Sequence, residues 1–353
     1  MSYIGTVQQC APNIQAMLAD HFTGIGDGVS PDQRPFLQFV NNQTRTIALK
    51  QTVNPSPAKV KTIELLYRRP LLSTDVDGTS PSNCTTGDDL GNSIEEYTIN
   101  TADGGDWVNV NATYALTDLH CGIEGFAEFF TKELTRLVDG VDAKVSAKTA
   151  TQLLAVAGAW SDDAEAAYTV SSNKLQIDYQ NASSEFNVAK FYDIADALQM
   201  TGFGSQAVIF GGTQINSLMR FAQAGCCANN GVELGQLWAE YGLASVYDRD
   251  VASAFGGQAH SVAVQPGAVA LLTFNQAGWK NGVPMLVNSG NYAMFSIVSP
   301  KTGTPMDVKV IDDCGSITIS VAACTKLVAL PNDLFQTGDN YYNVRFVNKI
   351  QAV

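Results

Sequence analysis

The sequence predicts an α+β protein, and three observations carry that prediction. Apolar residues recur at steps of three and four over residues 119–156, which is the period of one long amphipathic helix. Segments that alternate apolar and polar residues, as strands do, lie on both sides of this helix. Between residues 186 and 298, helical and strand patterns follow each other in turn, which is typical of a compact α/β region.

The composition is weakly charged and acidic. Charged residues make up 16% of the 353 residues, and 34 acidic against 21 basic side chains give a net charge of −13. Because ordinary soluble domains carry about 25% charged residues, we expect much of the polar surface to face other protein. Proteins that neutralise nucleic-acid phosphates need clustered Lys and Arg, so the charge argues against an ordinary nucleic-acid binder.

The sequence lacks the segments that would direct the chain into or across a membrane. The first 20 residues contain no basic segment followed by an apolar run, and nowhere do 18 apolar residues follow one another. We therefore expect a cytoplasmic protein that contacts no membrane. Seven cysteines, an odd and scattered number, predict free thiols rather than a disulfide framework. They are Cys10, Cys84, Cys121, Cys226, Cys227, Cys314 and Cys324.

Two segments contain too little apolar sequence to fold alone. Residues 1–57 form an arm with five prolines, a glycine-rich stretch at 24–28 and only short apolar patches. Residues 60–68 and a return through 97–110 predict two strands around the acidic, glycine-rich stretch 73–93. Because an isolated two-stranded ribbon is marginal in water, we expect both segments to be ordered by a neighbouring subunit or to stay disordered.

The long helix is the strongest local pattern. We predict an N-cap at Thr117 or Asp118, glutamates in the early turns at Glu124 and Glu128, and an end at Gly158. At ~1.5 Å per residue such a helix would reach on the order of 60 Å.

The compact region and the C-terminal part predict further elements. A helix carries Phe191, Ile194, Ala195 and Leu198; a strand at 207–210 ends at two glycines; and Thr213 caps the next helix. A helix at 232–241 and a strand at 268–274 follow. Three strands, at 307–310, 316–321 and 326–330, predict a meander.

No pattern in the sequence indicates catalysis or a cofactor. The three histidines, His21, His120 and His260, have no nucleophile or carboxylate beside them in a recognisable motif. The adjacent pair Cys226 and Cys227 lacks zinc-ligand spacing, and residues 75–78 begin but do not complete a calcium loop. The glycines at 24–28 do not form a phosphate loop. We predict no catalytic, cofactor-binding or metal-binding residue.

The order of these segments resembles that of the major capsid proteins of tailed double-stranded DNA bacteriophages, which have the Hong Kong 97-type fold. Residues 73–93 with their flanking strands resemble the extended loop of that family, and residues 117–158 its spine helix. Residues 186–298 resemble its axial domain, and residues 305–330 the strands that return to its peripheral domain. The resemblance is one of architecture, covers nearly the whole chain and involves no invariant motif.

On this resemblance the chain divides into five parts. They are the N-terminal arm (1–57), the extended loop with flanking strands (58–115), the peripheral domain with the spine helix (116–185), the axial α/β domain (186–298), and the return strands with the C-terminus (299–353).

The resemblance implies a structural protein without enzymatic activity. Copies would assemble as hexamers and pentamers into an icosahedral shell, with the arm and the extended loop lying over neighbouring subunits. An acidic wall would enclose the DNA without sequence-specific binding. The expected partners are further copies of the chain, a separate scaffolding protein, a portal, and decoration or auxiliary capsid proteins. The expected location is the virion, after assembly in the host bacterial cytoplasm.

Two alternatives remain open at this point. The first is a nanocompartment of the same fold, similar to encapsulins, which would enclose an enzyme instead of DNA. The second is a secreted carbohydrate-acting protein, suggested by acidity and by aromatic residues such as Trp107, Trp160, Trp238 and Trp279. The missing signal peptide and the long helix argue against the second.

Overall fold

The computed structural model describes residues 13–22, 29–43, 49–50, 60–68, 92–115, 125–180, 182–187, 189–203, 207–223, 242–276, 279–280, 283–284, 287–289, 291–313, 316–329 and 346–353. The helices in these ranges are α1 (Ile14–His21), α2 (Pro35–Asn42), α3 (Phe126–Val156), α4 (Asp162–Ala167), α5 (Ala189–Met200), α6 (Thr213–Gln223) and α7 (Arg249–Phe255). The first strands are β1 (Leu49–Lys50), β2 (Val60–Arg68), β3 (Asn92–Asn100), β4 (Trp107–Ala115), β5 (Val170–Ser171), β6 (Lys174–Ile177), β7 (Ala207–Gly211), β8 (Leu243–Tyr247) and β9 (His260–Val264). The remaining strands are β10 (Val269–Phe274), β11 (Trp279–Lys280), β12 (Val283–Pro284), β13 (Val287–Ser289), β14 (Tyr292–Val298), β15 (Pro305–Asp313), β16 (Ser316–Ala329) and β17 (Val347–Ala352).

One six-stranded sheet, the helix-backed sheet, has the order β10-β16-β15-β14-β13, with β4 also paired to β16. Alternate residues of β16, such as Ile317, Ile319 and Val321, are fully buried, as expected of a strand with one face on the core. Of the three strands predicted as a meander, those at 307–310 and 316–321 are confirmed as antiparallel neighbours within β15 and β16. The predicted break at residues 323–324 is wrong, because both residues pair with β4 inside one strand of 14 residues.

The spine helix α3 packs on this sheet. Its residues Phe130, Leu134, Val141 and Val145 are fully buried in one cluster with the inward side chains of β14, β15 and β16. The predicted start is too early. Gly125 is the N-cap, with a non-helical ψ of 147°, so the described helix begins at Phe126 and its 31 residues span about 46 Å. Apolar periodicity continues across this glycine and therefore does not show where the helix begins; residues 117–124 lie outside the described residues.

The second six-stranded sheet, the α/β sheet, has the order β5-β6-β17-β9-β7-β8. Strands β7 and β8 are parallel, and the C-terminal strand β17 lies between β6 and β9. Helices α5 and α6 bury Ile194, Leu198, Ile215 and Leu218 in the cluster around this sheet. The predicted helices and strand at 191–213 are confirmed, while the predicted helix at 232–241 lies outside the described residues.

Six strands belong to a different sheet from the one that the predicted domain limits imply. Strands β10, β13 and β14 fall within 186–298 but lie in the helix-backed sheet. Strands β5 and β6, within 116–185, and β17, within 299–353, lie in the α/β sheet. Pairing between strands far apart in sequence leaves no trace in local periodicity, which explains the difference. The domain limits themselves stay a prediction.

The described parts of the arm do not depend on a neighbouring subunit. Ile14 and Leu18 of α1 and Leu37 of α2 are fully buried in the cluster beneath the spine helix. Phe36 and Val40, on the adjacent side of α2, belong to the cluster of the α/β sheet. The expectation of an arm that is disordered or lies on a neighbour is thus wrong for these helices, because α1 is buried in the cluster of the spine helix and α2 lies between the two cores of their own chain.

The predicted pair of strands is confirmed for β2 and β3, which are antiparallel from Val60 opposite Asn100 to Arg68 opposite Asn92. The predicted continuation of the return through 107–110 is wrong, because those residues belong to β4, which pairs with β16 in the helix-backed sheet. Strand β1 extends the β2–β3 hairpin to three strands. Residues 69–91, which include most of the acidic stretch, lie outside the described residues. Among the helices described, none is both long enough and apolar enough to cross a lipid bilayer.

Candidate assembly surfaces

The arm segment, residues 29–43, lies at the junction of the two sheets. The ring of Phe36 meets Phe210 of β7 edge-on, with 5.3 Å between centroids, and Phe39 lies 5.0 Å from the same ring. Leu37 points instead into the cluster of the spine helix. One short helix therefore contributes side chains to both cores, so the arm segment couples the two halves of the subunit.

A buried carboxylate on the spine helix holds the arm segment. Asp139 accepts hydrogen bonds from the Ser30 amide at 2.9 Å and from the Arg34 guanidinium at 2.9 Å, and it pairs with the Lys301 ammonium at 3.1 Å. Burial acts to raise the pKa of Asp139, but the bonds from Ser30 and Arg34 outweigh it, and the pKa is lowered. Arg34 itself is almost fully buried, so this ion pair is shielded from solvent.

A second buried carboxylate lies one turn further along the same helix. Asp142 accepts hydrogen bonds from Ser299 Oγ at 2.5 Å and from Thr302 Oγ1 at 2.6 Å. Burial raises its pKa to about 6, against the lowering effect of those two bonds. The turn that joins β14 to β15 is thereby fixed to the spine helix.

Several weaker contacts complete this attachment. The side-chain amides of Gln38 and Asn41 donate to the carbonyls of Lys301 and Thr302, at 2.8 and 2.9 Å. On the other side, the Phe36 amide donates to Asp248, the N-cap of α7, at 3.0 Å. The arm segment is thus bonded to the spine helix, to the β14–β15 turn and to α7.

The hairpin is attached at its base. Ile99 is buried against Leu272, Cys324 and Val328 at the end of the helix-backed sheet. The Tyr97 hydroxyl donates to the Ala329 carbonyl at 2.7 Å. Residue 98 is also hydrogen-bonded to β16, and residue 100 to the turn before β4. These anchors lie within the last four residues of β3, so this end of the hairpin is fixed to the helix-backed sheet.

The outer face of β4 and of the paired residues 316–320 of β16 is polar and uncharged. Thr113 bonds Thr318 at 2.9 Å, and Ser320 bonds Asn111 at 2.5 Å. Strand β4 pairs with β16 along one edge, and no described strand pairs with the other. Such an edge offers free backbone groups to another chain.

The histidines and cysteines, which were the candidate catalytic or metal-binding residues, do not form a cluster among the described residues. His21 ends α1 and His260 begins β9, while His120 lies outside the described residues. Of the seven cysteines only Cys324 is described; it is buried and unpaired, and burial raises the pKa of its thiol to about 12. The described residues contain no group of three potential metal ligands.

The two glycines at the end of β7, Gly211 within the strand and Gly212 after it, do not leave an open anion site at the start of α6. The Gly212 amide donates to the His260 carbonyl at 2.8 Å, and the Thr213 amide donates to Gln258 Oε1 at 3.1 Å. A Cβ on Gly212 would lie 2.0 Å from the Gln258 carbonyl oxygen, so this glycine serves close backbone packing. Helix α6 begins at Thr213, which is the first helical residue and not the cap.

Sequence reasoning missed Asp139 and Asp142 as the residues that attach the arm. The sequence did contain a signal for them. The two carboxylates lie along the helix between Val138, Val141 and Val145, and the apolar period assigns these valines to the core. A charged residue at a core position of a helix requires a partner. The partner residues, at 30–34 and 299–302, are too distant in sequence to be inferred from it.

Comparison with known proteins identifies the fold. No protein-family model matches the chain, and no curated protein sequence matches it. The Cyanophage A-1(L) capsid asymmetric unit matches with a TM-score of 0.51 and 12% identity, over 90% of this chain and 92% of that one. This likeness confirms the α+β, Hong Kong 97-type fold predicted from the sequence.

Two further structures match at lower scores. The capsid structure of Cyanophage P-SCSP1u has a TM-score of 0.44 and 10% identity, over 84% of both chains. A virus-like particle from Pyrococcus furiosus has a TM-score of 0.42 and 7% identity, over 96% of this chain and 98% of that one. Of these three structures, the first alone exceeds a TM-score of 0.5, and the fold assignment rests on it.

Proposed function

We propose that this chain is the major capsid protein of a tailed double-stranded DNA bacteriophage. Copies of it assemble into the hexamers and pentamers of an icosahedral shell that encloses the genome. The observation that carries the proposal is the fold shared with the Cyanophage A-1(L) capsid subunit over nine-tenths of the chain. Because one fold can serve several functions, the surfaces of this chain must supply the rest of the support.

The hairpin supports a role in assembly. Its described anchors lie at residues 97–100, and a ribbon of two or three strands is only marginally stable without a further surface to pack on. Contact with an adjacent subunit would supply that surface. The unpaired edge of β4 is a second place where backbone groups remain available to another chain.

The charge supports a container and not a binder of DNA. The chain carries 13 more acidic than basic residues, so its wall would repel phosphate overall. Its further partners would be a separate scaffolding protein, a portal and decoration or auxiliary proteins. We place the protein in the virion, after assembly in the host cytoplasm, and assign it no enzymatic activity.

Electron microscopy of particles purified from cells that express the chain tests the proposal. Closed icosahedral shells filled with double-stranded DNA, when phage packaging proteins are present, are the expected result. Shells of the same kind that contain a protein cargo and never DNA would support a nanocompartment instead. A chain that stays monomeric with and without the scaffolding protein would contradict both.

A further inference from the structure

A basic strip lies on one face of the α/β sheet; we define it as Lys174, Lys349 and His260. Lys174 of β6 and Lys349 of β17 are direct neighbours in the parallel register. One row further, Gln351 lies opposite both Gln176 and His260. Directly opposed residues of a sheet point to the same side, so all three basic side chains share one face.

This face of the sheet is partly exposed to solvent at the three basic residues. Lys174 alternates with the buried Leu175, and Lys349 with the buried Ile350, so both lysines point away from these core residues. The three basic residues themselves are half-buried. The ring of His260 lies over Gly256, where an added Cβ would come within 2.9 Å of Nε2, so the position of this ring depends on the glycine.

The described residues provide no counter-charge for the strip. Across the part of the chain that the structure describes, no carboxylate lies within ion-pair distance of Lys174 or Lys349. Burial lowers the pKa of Lys349 and of His260, and the charge of Lys174 lowers both further. Two like charges on directly opposed strand positions are destabilising. Among the described residues, no carboxylate offsets this juxtaposition, although the chain has 34 acidic residues.

The size of the strip favours a carboxylate over nucleic acid. Binding along a phosphate backbone typically uses about 6–10 basic contacts. The strip offers two lysines about 5 Å apart, the spacing of neighbouring strands. Such a pair suits one or two carboxylates on a protein segment, and a histidine with a lowered pKa adds a neutral hydrogen-bonding group.

We propose that the basic strip receives an acidic segment of an adjacent copy of this chain. Helix α4 has the matching chemistry, since Asp162, Asp163 and Glu165 are exposed within six residues. A contact between two different patches of identical subunits is heterologous, and such contacts generate closed rings when the rotation between subunits closes. This inference rests on the proposed function, because it assigns one contact within the hexamers and pentamers of the shell.

The first test neutralises the strip with Lys174→Gln/Lys349→Gln. In the isolated subunit the two lysines repel each other, so we expect an unchanged or higher melting temperature by circular dichroism. In the shell they bind carboxylates, so we expect about a tenfold lower yield of assembled particles. Lys309→Gln/Lys132→Gln removes two positive charges elsewhere and should change neither value.

The second test exchanges the charges. Lys174→Glu should prevent shell formation, and adding Asp162→Lys/Glu165→Lys should restore it. Normal assembly of the neutralised variant, a lower melting temperature of its isolated subunit, or no rescue by the exchange would each overturn the inference. Normal empty shells that merely lose DNA would also overturn it, because the partner would then be nucleic acid. Failure of the unmodified chain to form particles would contradict the proposed function itself, as well as this contact.

Discussion

The arm segment and the β2–β3 hairpin look alike in the sequence but are held in different ways. Neither contains enough apolar sequence to form a core. The arm segment lies between the two cores of its own subunit and is bonded to the buried Asp139. The hairpin has its described anchors at one end, around Ile99. A segment without a core can therefore be either a part of the subunit or a part of the assembly, and buried polar partners distinguish the two.

The largest effect should come from the core that the arm shares with the spine helix. Leu134→Asp places an unpaired charge where the wild-type side chain is fully buried, and should prevent folding at a cost of roughly 4–5 kcal/mol. Circular dichroism and size-exclusion chromatography would show this. Ala147→Asp, at an exposed position of the same helix, is the control and should fold normally. A folded Leu134→Asp subunit would refute the orientation of the helix.

The ion pair of the arm segment should give the next largest effect. Arg34→Ala leaves Asp139 buried with Lys301 as its remaining cationic partner, so the free energy of unfolding should fall by about 3 kcal/mol. Arg249→Ala removes the exposed ion pair between Arg249 and Asp32 and should cost less than about 1 kcal/mol. Equal losses in urea titrations of the two variants would show that the buried pair does not hold the arm.

Shortening the hairpin should affect assembly and leave the subunit stable. With residues 73–93 replaced by a two-residue turn, we expect an unfolding free energy within about 0.5 kcal/mol of the wild type, because the anchors around Ile99 remain. Stable shells should be absent from electron micrographs. A large loss of secondary structure on this deletion would mean that the hairpin belongs to the core of the subunit.

The smallest effect should be a dependence of stability on pH through Asp142. Its pKa is raised to about 6 in the folded chain, so between pH 4 and 6 the folded state holds a proton that the unfolded state has lost. Stability should therefore fall as pH rises through this window, by on the order of 1–3 kcal/mol. Asp139, whose pKa is lowered, acts in the opposite sense below its ordinary value. Urea titrations of Asp142→Asn should show a smaller fall between pH 4 and 6, with the rest due to Asp248, whose pKa is also raised by burial. An unchanged slope would assign the fall to other groups.

Local patterns in the sequence were sufficient for part of the elements of the fold. The spine helix, the hairpin and the meander follow from periods of 3.6 and 2, which depend on near neighbours alone. The sheet that β10 and β17 join, and the place of α2 between two cores, depend on contacts over about 50 to 300 positions. The role of Asp139 could be suspected from its core position, but its partner Arg34 lies 105 residues away. The basic strip was invisible for the same reason, since Lys174 and Lys349 become neighbours through strand pairing.

A cryo-electron microscopy reconstruction of the assembled particle tests the central contrast most directly. We expect a closed shell in which residues 29–43 lie against the spine helix of their own subunit, with Arg34 on Asp139, and in which the β2–β3 hairpin lies on an adjacent subunit. A shell in which the arm segment crosses to a neighbour while the hairpin folds back on its own subunit would contradict the account, as would particles with no shell at all.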